Sequence, residues 1–281
     1  MNGVNNKNYR SKEMEWKFLT NSQLKTYREC PKRWMAELTG KWVDLKERMA
    51  FLEGNYVDYA VTEPAHVFAE FCERNQSKIY GKSGKKLANF AYLDIAIETI
   101  KREPTIMEHL IGGESQTIIA IDDFHGVPFK GKLDALILTK KILTDLKTTA
   151  SLYRTQFSPI HGRHVNFIDF YGYWTQLALY REMVWIHHQV ECDCFIAAAE
   201  KKPKDTENDT KVNRELYRLG DKAKLEEEVH NAIPMLREMQ WHKDQLTEPE
   251  DLPGCDDCSC CIQTKVITEP TDIEPLQRLG E

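Results

Sequence analysis

Two neighbouring segments decide how this chain folds: Gly131-Lys132-Leu133-Asp134, inside the apolar run Phe129 to Leu138, and Thr144-Asp145-Leu146-Lys147-Thr148-Thr149, inside a second run that begins at Ile142. Lys140-Lys141 separates the runs, and the pattern predicts a β-hairpin. Side chains alternate across a strand, so Asp145 and Lys147 share one face. Asp134 falls near the end of the first strand. Two carboxylates and one ammonium therefore converge at one end of a sheet. Such a group can hold a divalent cation and activate water for phosphodiester cleavage.

Mg²⁺ prefers oxygen ligands in octahedral geometry and keeps several waters. A third carboxylate is needed, and Glu114 is the candidate because it lies just before the predicted strand Ser115 to Ile121. The carbonyl of Leu146, between Asp145 and Lys147, can complete the shell. Lys147 is a point charge able to orient the attacking water, lower its pKa or stabilise a pentavalent phosphate. Asp-x-Lys on a strand is by itself a commonplace surface ion pair. Glu114, Asp134 and the apolar framing give the pattern its weight.

Outward from the hairpin, the pattern predicts a polar arm over residues 1–20 and short helices at Ser22 to Glu29 and Lys32 to Leu38. Helical character over 51–75 is interrupted at Glu63-Pro64, and another helix is expected over Lys85 to Arg102. Strands dominate from Ser115 to Lys147. A long aromatic-rich helix (Phe167 to His188), a strand (Val190 to Ala199) and an amphipathic helix (Lys222 to Lys243) follow. The order predicts an α/β fold with a mixed sheet flanked by helices. Three parts are expected: the arm (1–20), a main domain (21–247) and a cysteine-rich tail (248–281) that packs back on it.

The 281 residues are 41% hydrophobic, enough for a sizeable core, and carry a net charge of −6. No global basic field gathers a polyanion, so any such contact must use local patches: Lys32-Arg33, Lys78 to Lys86, Lys140-Lys141 or Lys201 to Lys204. His161 and His164, in a loop after the second strand, can meet a phosphate backbone or simply lie exposed. No run of 18 apolar residues is present, so no membrane span is expected. The N-terminus lacks a secretory apolar region. An intracellular chain with eight cysteines favours metal ligands or free thiols over disulfides. Cys255, Cys258 and Cys261 form Cys-x-x-Cys-x-x-Cys, a spacing that can wrap one soft metal centre. Cys30, in Cys30-Pro31-Lys32-Arg33-Trp34, is the candidate fourth ligand.

Glu114, Gly131-Lys132-Leu133-Asp134 and Asp145-Leu146-Lys147 together resemble the signature of the PD-(D/E)XK nuclease superfamily, and within it the RecE-type (exonuclease VIII) enzymes of phages and prophages. Those carry Gly-x-x-x-His, then Glu-Pro and Phe, upstream of the core; the matching stretch here is Gly54 to Asp58, then Glu63-Pro64 and Phe68. Asp58 stands where the family has a metal-binding histidine, and a carboxylate can still ligate Mg²⁺. The resemblance implies a restriction-endonuclease-like core with Glu114, Asp134, Asp145, Leu146 and Asp58 around Mg²⁺ or Mn²⁺. It also implies that Lys147 and Gln176 act in catalysis and that Tyr180 braces the site. It implies 5′→3′ digestion of linear double-stranded DNA ends to 3′ tails, a ring-shaped homo-oligomer, a single-strand annealing recombinase as partner, and the cytoplasm of a bacterial host. The Cys30 element resembles the start of RecB-like domains, some of which hold a [4Fe–4S] cluster with one upstream and three downstream cysteines. For Cys30, Cys255, Cys258 and Cys261 that implies an iron–sulfur cluster; Zn²⁺ suits the same four residues. A repair or CRISPR-adaptation-like nuclease with a cluster and a non-catalytic, metal-stapled DNA-binding protein are the alternatives.

Overall fold

The structure, a computed structural model, describes residues 3–43, 45–205 and 207–265, with backbone only for residues 45–48. Eight helices come first: α1 (Lys12–Lys17), α2 (Asn21–Glu29), α3 (Pro31–Thr39), α4 (Leu45–Thr62), α5 (Ala65–Arg74), α6 (Gln76–Ile79), α7 (Ala88–Lys101) and α8 (Pro104–Leu110). Three long strands follow, β1 (Glu114–Phe124), β2 (Val127–Ile137) and β3 (Ile142–Thr149), then a short ribbon of β4 (Gln156–Ser158) and β5 (Arg163–Val165). The chain continues through α9 (Phe167–Phe170), α10 (Tyr173–His188), β6 (Asp193–Glu200), β7 (Arg214–Arg218), α11 (Lys222–Asp244) and α12 (Ser259–Thr264).

The main sheet has the order β1-β2-β3-β6-β7. β3 and β6 are parallel and every other neighbouring pair is antiparallel, so the sheet is mixed as expected. The parallel pair needs a crossover, which α10 supplies. Helices cover both faces. Ile196 and Ala198 of β6 join the core beneath α10 and α11, while Ala197 and Ala199 join the core beneath α4 and α7. Burial on both sides explains why β6 reads as an unbroken apolar run.

β2 and β3 pair over only three residues, from Ala135↔Thr144 to Ile137↔Ile142. Beyond that point the hairpin opens as a fork. The edge of β2 left bare is filled from the N-terminal segment: Leu19 N–H donates to the Pro128 carbonyl and Lys130 N–H donates to the Leu19 carbonyl, both at 2.9 Å. The predicted polar arm is therefore folded in this stretch, with Tyr9, Met14, Phe18 and Leu19 buried. Lys130, fully buried, donates to the Tyr9 carbonyl and pairs with Glu15 at 3.2 Å.

The predicted helix Phe167 to His188 is divided, because Gly172 adopts φ +67° and ends α9 before α10 begins. β7 was not predicted; an edge strand of sequence Arg-Glu-Leu-Tyr-Arg is too polar to announce itself. In the tail, residues 253–264 return to α3, with Lys32 N–H donating to the Pro253 carbonyl at 3.2 Å. The remainder of the predicted tail, 266–281, lies outside the described residues.

Gly131 lets α10 approach β2 closely. A Cβ there would lie 2.9 Å from Tyr180 Cε1 and 3.1 Å from Met183 Sδ. Gly131→Ala is expected to destabilise the protein by about 1–3 kcal/mol through overpacking. The measurement is a lower urea midpoint at unchanged slope; a wild-type midpoint would mean that α10 yields without cost.

Candidate active site

The fork between β2 and β3 builds the site. Leu146 N–H has no strand partner on the β2 side once the ladder ends. It donates instead to Asp134 Oδ2 at 2.8 Å, and this bond ties the two prongs together. Asp145 and Lys147 share a face, as alternation requires, and Lys147 Nζ lies 2.6 Å from Asp145 Oδ2 and 3.8 Å from Asp134 Oδ2. Lys147 also donates to the Leu146 carbonyl at 3.2 Å. From α10, Gln176 Nε2 donates to Asp145 Oδ1 at 2.9 Å, and the Tyr173 ring lies 5.4 Å from the ammonium. Tyr180 packs against Gly131 behind the site. These placements follow from the one-face spacing of Tyr173, Gln176 and Tyr180 on a helix.

Asp58, on α4, lines the cleft with Leu146 and Lys147, and the charges of Asp134, Asp145 and Lys147 act on it. Glu114 does not join them. Gln116, not Glu114, sits across from Asp134, with a left-handed φ of +50° and its amide 3.5 Å from Asp134 Oδ1. Glu114 pairs with Leu136, beyond the fork, and is exposed. Its carboxylate accepts from Thr117 at 3.4 Å and acts on His188 at the far end of α10. Among the described residues no hydrogen bond or ion pair links it to Asp134, Asp145 or Lys147. Proximity to a strand mouth suggested Glu114, but the register carries it past the site. Gln116 carried no sequence signal, because its place depends on a local backbone kink.

Burial governs the electrostatics. It raises the Asp145 carboxyl to about 7, with the charge of Asp134 adding to the effect and Lys147 opposing it. Burial and the charge of Asp134 raise Asp58 well above the ordinary carboxylate range. Burial by itself would lower Lys147, but Asp145 and Asp134 outweigh it and hold the ammonium firmly charged. The Lys147 contact to Asp145 Oδ2 is close but off-axis, so that buried oxygen receives no aligned hydrogen bond. A buried carboxylate oxygen that receives no aligned hydrogen bond, with the Asp134 carboxylate nearby, suits a hard divalent cation. Asp134, Asp145, the Leu146 carbonyl and Asp58 in the cleft wall are the candidates to hold it. A cleft of about 410 Å³ lies alongside, lined by Gly54, Asp58, Leu146, Lys147, Tyr173 and Lys201 among others, with Asp134 and Asp145 behind its wall.

A second group forms where the tail meets α3. The sulfurs of Cys30, Cys255, Cys258 and Cys261 all lie within 4.8 Å of one another, with Cys30 and Cys261 3.5 Å apart. Backbone N–H groups point at three of them: Arg33 to Cys30, Cys258 to Cys255 and Cys261 to Cys258, at 3.3 to 3.5 Å. N–H donors toward sulfur favour thiolates, the form that binds metal. Cys260 is buried beside this quartet, and Cys192 and Cys194 are buried around β6.

The mixed sheet with an acid on one prong and Asp-x-Lys on the other defines a PD-(D/E)XK nuclease fold. The chain belongs to the family described as "PDDEXK-like domain of unknown function (DUF3799)", which matches residues 20–264. It is similar to the crystal structure of a candidate exonuclease from Eubacterium rectale, with a TM-score of 0.82 and 25% identity over 96% of each chain. No curated protein sequence is significantly similar to it. No described helix is long and apolar enough to cross a membrane.

Because folding raises the Asp145 pKa, the folded state holds a proton that the unfolded chain releases near pH 4. Stability from this group is therefore present at low pH and declines as pH rises from about 4 through about 7. In EDTA, the stability of Asp145→Asn relative to wild type should climb across that window by on the order of a few kcal/mol. Added Mg²⁺ should raise the wild-type melting temperature more at pH 8 than at pH 5. A gap between the two proteins that does not change with pH would contradict the assignment.

Proposed function

We propose that this chain is a divalent-cation-dependent deoxyribonuclease of the RecE type. It digests linear duplex DNA from its 5′ ends and leaves 3′ single-stranded tails for phage-type recombination. The observation that carries the reading is the convergence of Asp58, Asp134 and Asp145 around Lys147 at the fork. Family membership and the likeness to a candidate exonuclease along 96% of both chains support it.

Asp134, Asp145, Asp58 and the Leu146 carbonyl would hold Mg²⁺ or Mn²⁺. A divalent cation there supplies Lewis acidity and lowers the pKa of water. Lys147 brings a compact, permanently charged donor to the reacting phosphate, where it orients the attacking water and stabilises the added negative charge. Gln176 fixes Asp145 by holding Oδ1, which would leave Oδ2 free to take part in holding a cation. Tyr173 and Tyr180 limit the motion of Lys147 and β2. Asp58 does the work of the family histidine, a carboxylate in place of an imidazole.

Iron–sulfur or zinc binding by Cys30, Cys255, Cys258 and Cys261 would join the N-terminal helices to the tail and add to folding free energy. A ring of subunits would give processivity to a chain of net charge −6, since enclosure substitutes for strong attraction. The natural partner is a single-strand annealing recombinase, and the setting is the bacterial cytoplasm. The cysteine quartet favours one second reading: a repair or CRISPR-adaptation-like nuclease with a cluster.

Digestion of end-labelled linear duplex in Mg²⁺ tests the reading. Stepwise release from 5′ ends is expected. Loss from 3′ ends or internal nicking would favour the second reading. Lys147→Ala should lower the rate by roughly 10² to 10⁴, whereas Glu114→Gln should stay within about twofold. Wild type as inert as Lys147→Ala, with both binding DNA, would make the protein a scaffold. Anaerobic purification with metal analysis should find iron with a visible charge-transfer band, or zinc without one, and Cys30→Ser should lose either. Metal-free wild type would refute the stapling role.

A further inference from the structure

Between the cleft wall and α10 the chain detours through residues 150–165. Ala150 and Tyr171 both line the cleft, so the detour leaves the cleft wall and returns to it. Its base is firmly held. Leu152 is buried, its N–H donates to the buried Glu200 carboxylate at 3.1 Å, and Lys201 N–H donates to the Thr149 carbonyl at 2.8 Å. Beyond the base the chain forms the β4–β5 ribbon, with Gln156, Phe157 and Ser158 paired to Val165, His164 and Arg163. Pro159-Ile160-His161-Gly162 makes the turn, closed by Gly162 at φ +61°. α9 packs against β4 from below.

What this ribbon displays is unusual for a surface element. Phe157 is 55% exposed and Ile160, at the tip, 68%. The sequence 146–168 contains no Asp or Glu, although the chain carries 44 acids in 281 residues. Within it, Arg154, His161, Arg163 and His164 are all exposed. Among the described residues no carboxylate pairs with Arg154 or Arg163. The His164 ring stands edge-on to Phe157, with centroids 5.8 Å apart. Unpaired cations interleaved with bare apolar faces, on a stiff support rooted in the cleft wall, match the two chemistries of a single nucleic-acid strand: phosphates outside and bases with exposed flat faces. A duplex buries its base faces and would leave Phe157 and Ile160 uncovered.

We infer that the β4–β5 ribbon binds an unpaired nucleic-acid strand beside the cleft, with Phe157 and Ile160 packing on bases and Arg154 and Arg163 meeting phosphates. This rests on the nuclease reading and specifies which part of the substrate the ribbon engages. The cleft receives the strand being cut, and the ribbon keeps unpaired bases from reannealing.

The test is binding in Ca²⁺, with a fluorescein-labelled single strand, a blunt duplex, and a single strand carrying terminal 2-aminopurine, whose emission falls on stacking. Wild type should quench 2-aminopurine. The double variant Phe157→Ala/Ile160→Ala should lose the quenching and bind single strand about tenfold more weakly, while blunt duplex binding changes little. Arg154→Ala and Arg163→Ala should each reduce the salt dependence of single-strand binding by about one counterion. All altered side chains are exposed, and unchanged melting temperatures will exclude misfolding. Wild-type quenching and affinity in the double variant would overturn the inference and leave the nuclease reading intact. So would wild-type DNA binding with altered sedimentation, which would make the ribbon a contact between copies. Failure of the wild type to bind any DNA would remove both.

Discussion

The bond from Leu146 N–H to Asp134 Oδ2 is the constraint on which the rest of the site depends. A hairpin that paired along its full length would satisfy Leu146 with backbone and leave Asp134 on an ordinary sheet face. Because β2 and β3 part after Ala135 and Thr144, a buried N–H needs another acceptor, and Asp134 provides it. The same carboxylate then faces Lys147 and, through it, Asp145. Leu19 closes the other side of the opening by bridging to β2. The N-terminal segment is thus part of what keeps the fork open.

Placing two buried carboxylates and the half-buried Asp58 near one lysine is unfavourable without a counter-charge. Lys147 supplies part of it. Burial and the neighbouring charge of Asp134 still raise the pKa values of Asp58 and Asp145. A divalent cation bound there would relieve repulsion that folding has imposed. Gln176 contributes by geometry: a neutral amide fixes one oxygen of Asp145 without neutralising it. Asp58, on α4, lines the cleft beside Leu146 and Lys147, so a helix outside the sheet adds a further acid to this region.

A second junction joins the start of α3 to the tail. Cys30 caps α3 while Cys258 caps α12, so the same two residues that start helices also present sulfur to a shared centre. Helix starts leave backbone N–H groups unpaired, and here those groups point at thiols. The arrangement ties residues some 230 positions apart in the chain, as the Cys30–Cys261 contact shows. A tail that would otherwise contribute little buried surface becomes part of the wall of α3.

Much of this was legible in the amino-acid order. The two-residue period placed Asp145 and Lys147 together, the helical period placed Tyr173, Gln176 and Tyr180 together, and the Cys-x-x-Cys-x-x-Cys spacing marked one wall of the quartet. Each of these is a local regularity, fixed by backbone geometry over a few residues. The third acid was not local. Glu114 was expected from its place before a strand and Asp58 from the resemblance alone, and where each one falls turns on the register of β1 against β2, on the kink at Gln116 and on the position of α4. The fork itself was invisible, since the apolar pattern of both strands continues past the point where pairing stops. Sequence by itself determined which chemistry the chain carries and on which strands; only the tertiary structure decided which carboxylates meet, because that depends on where backbone pairing ends and which buried donor is left to be satisfied.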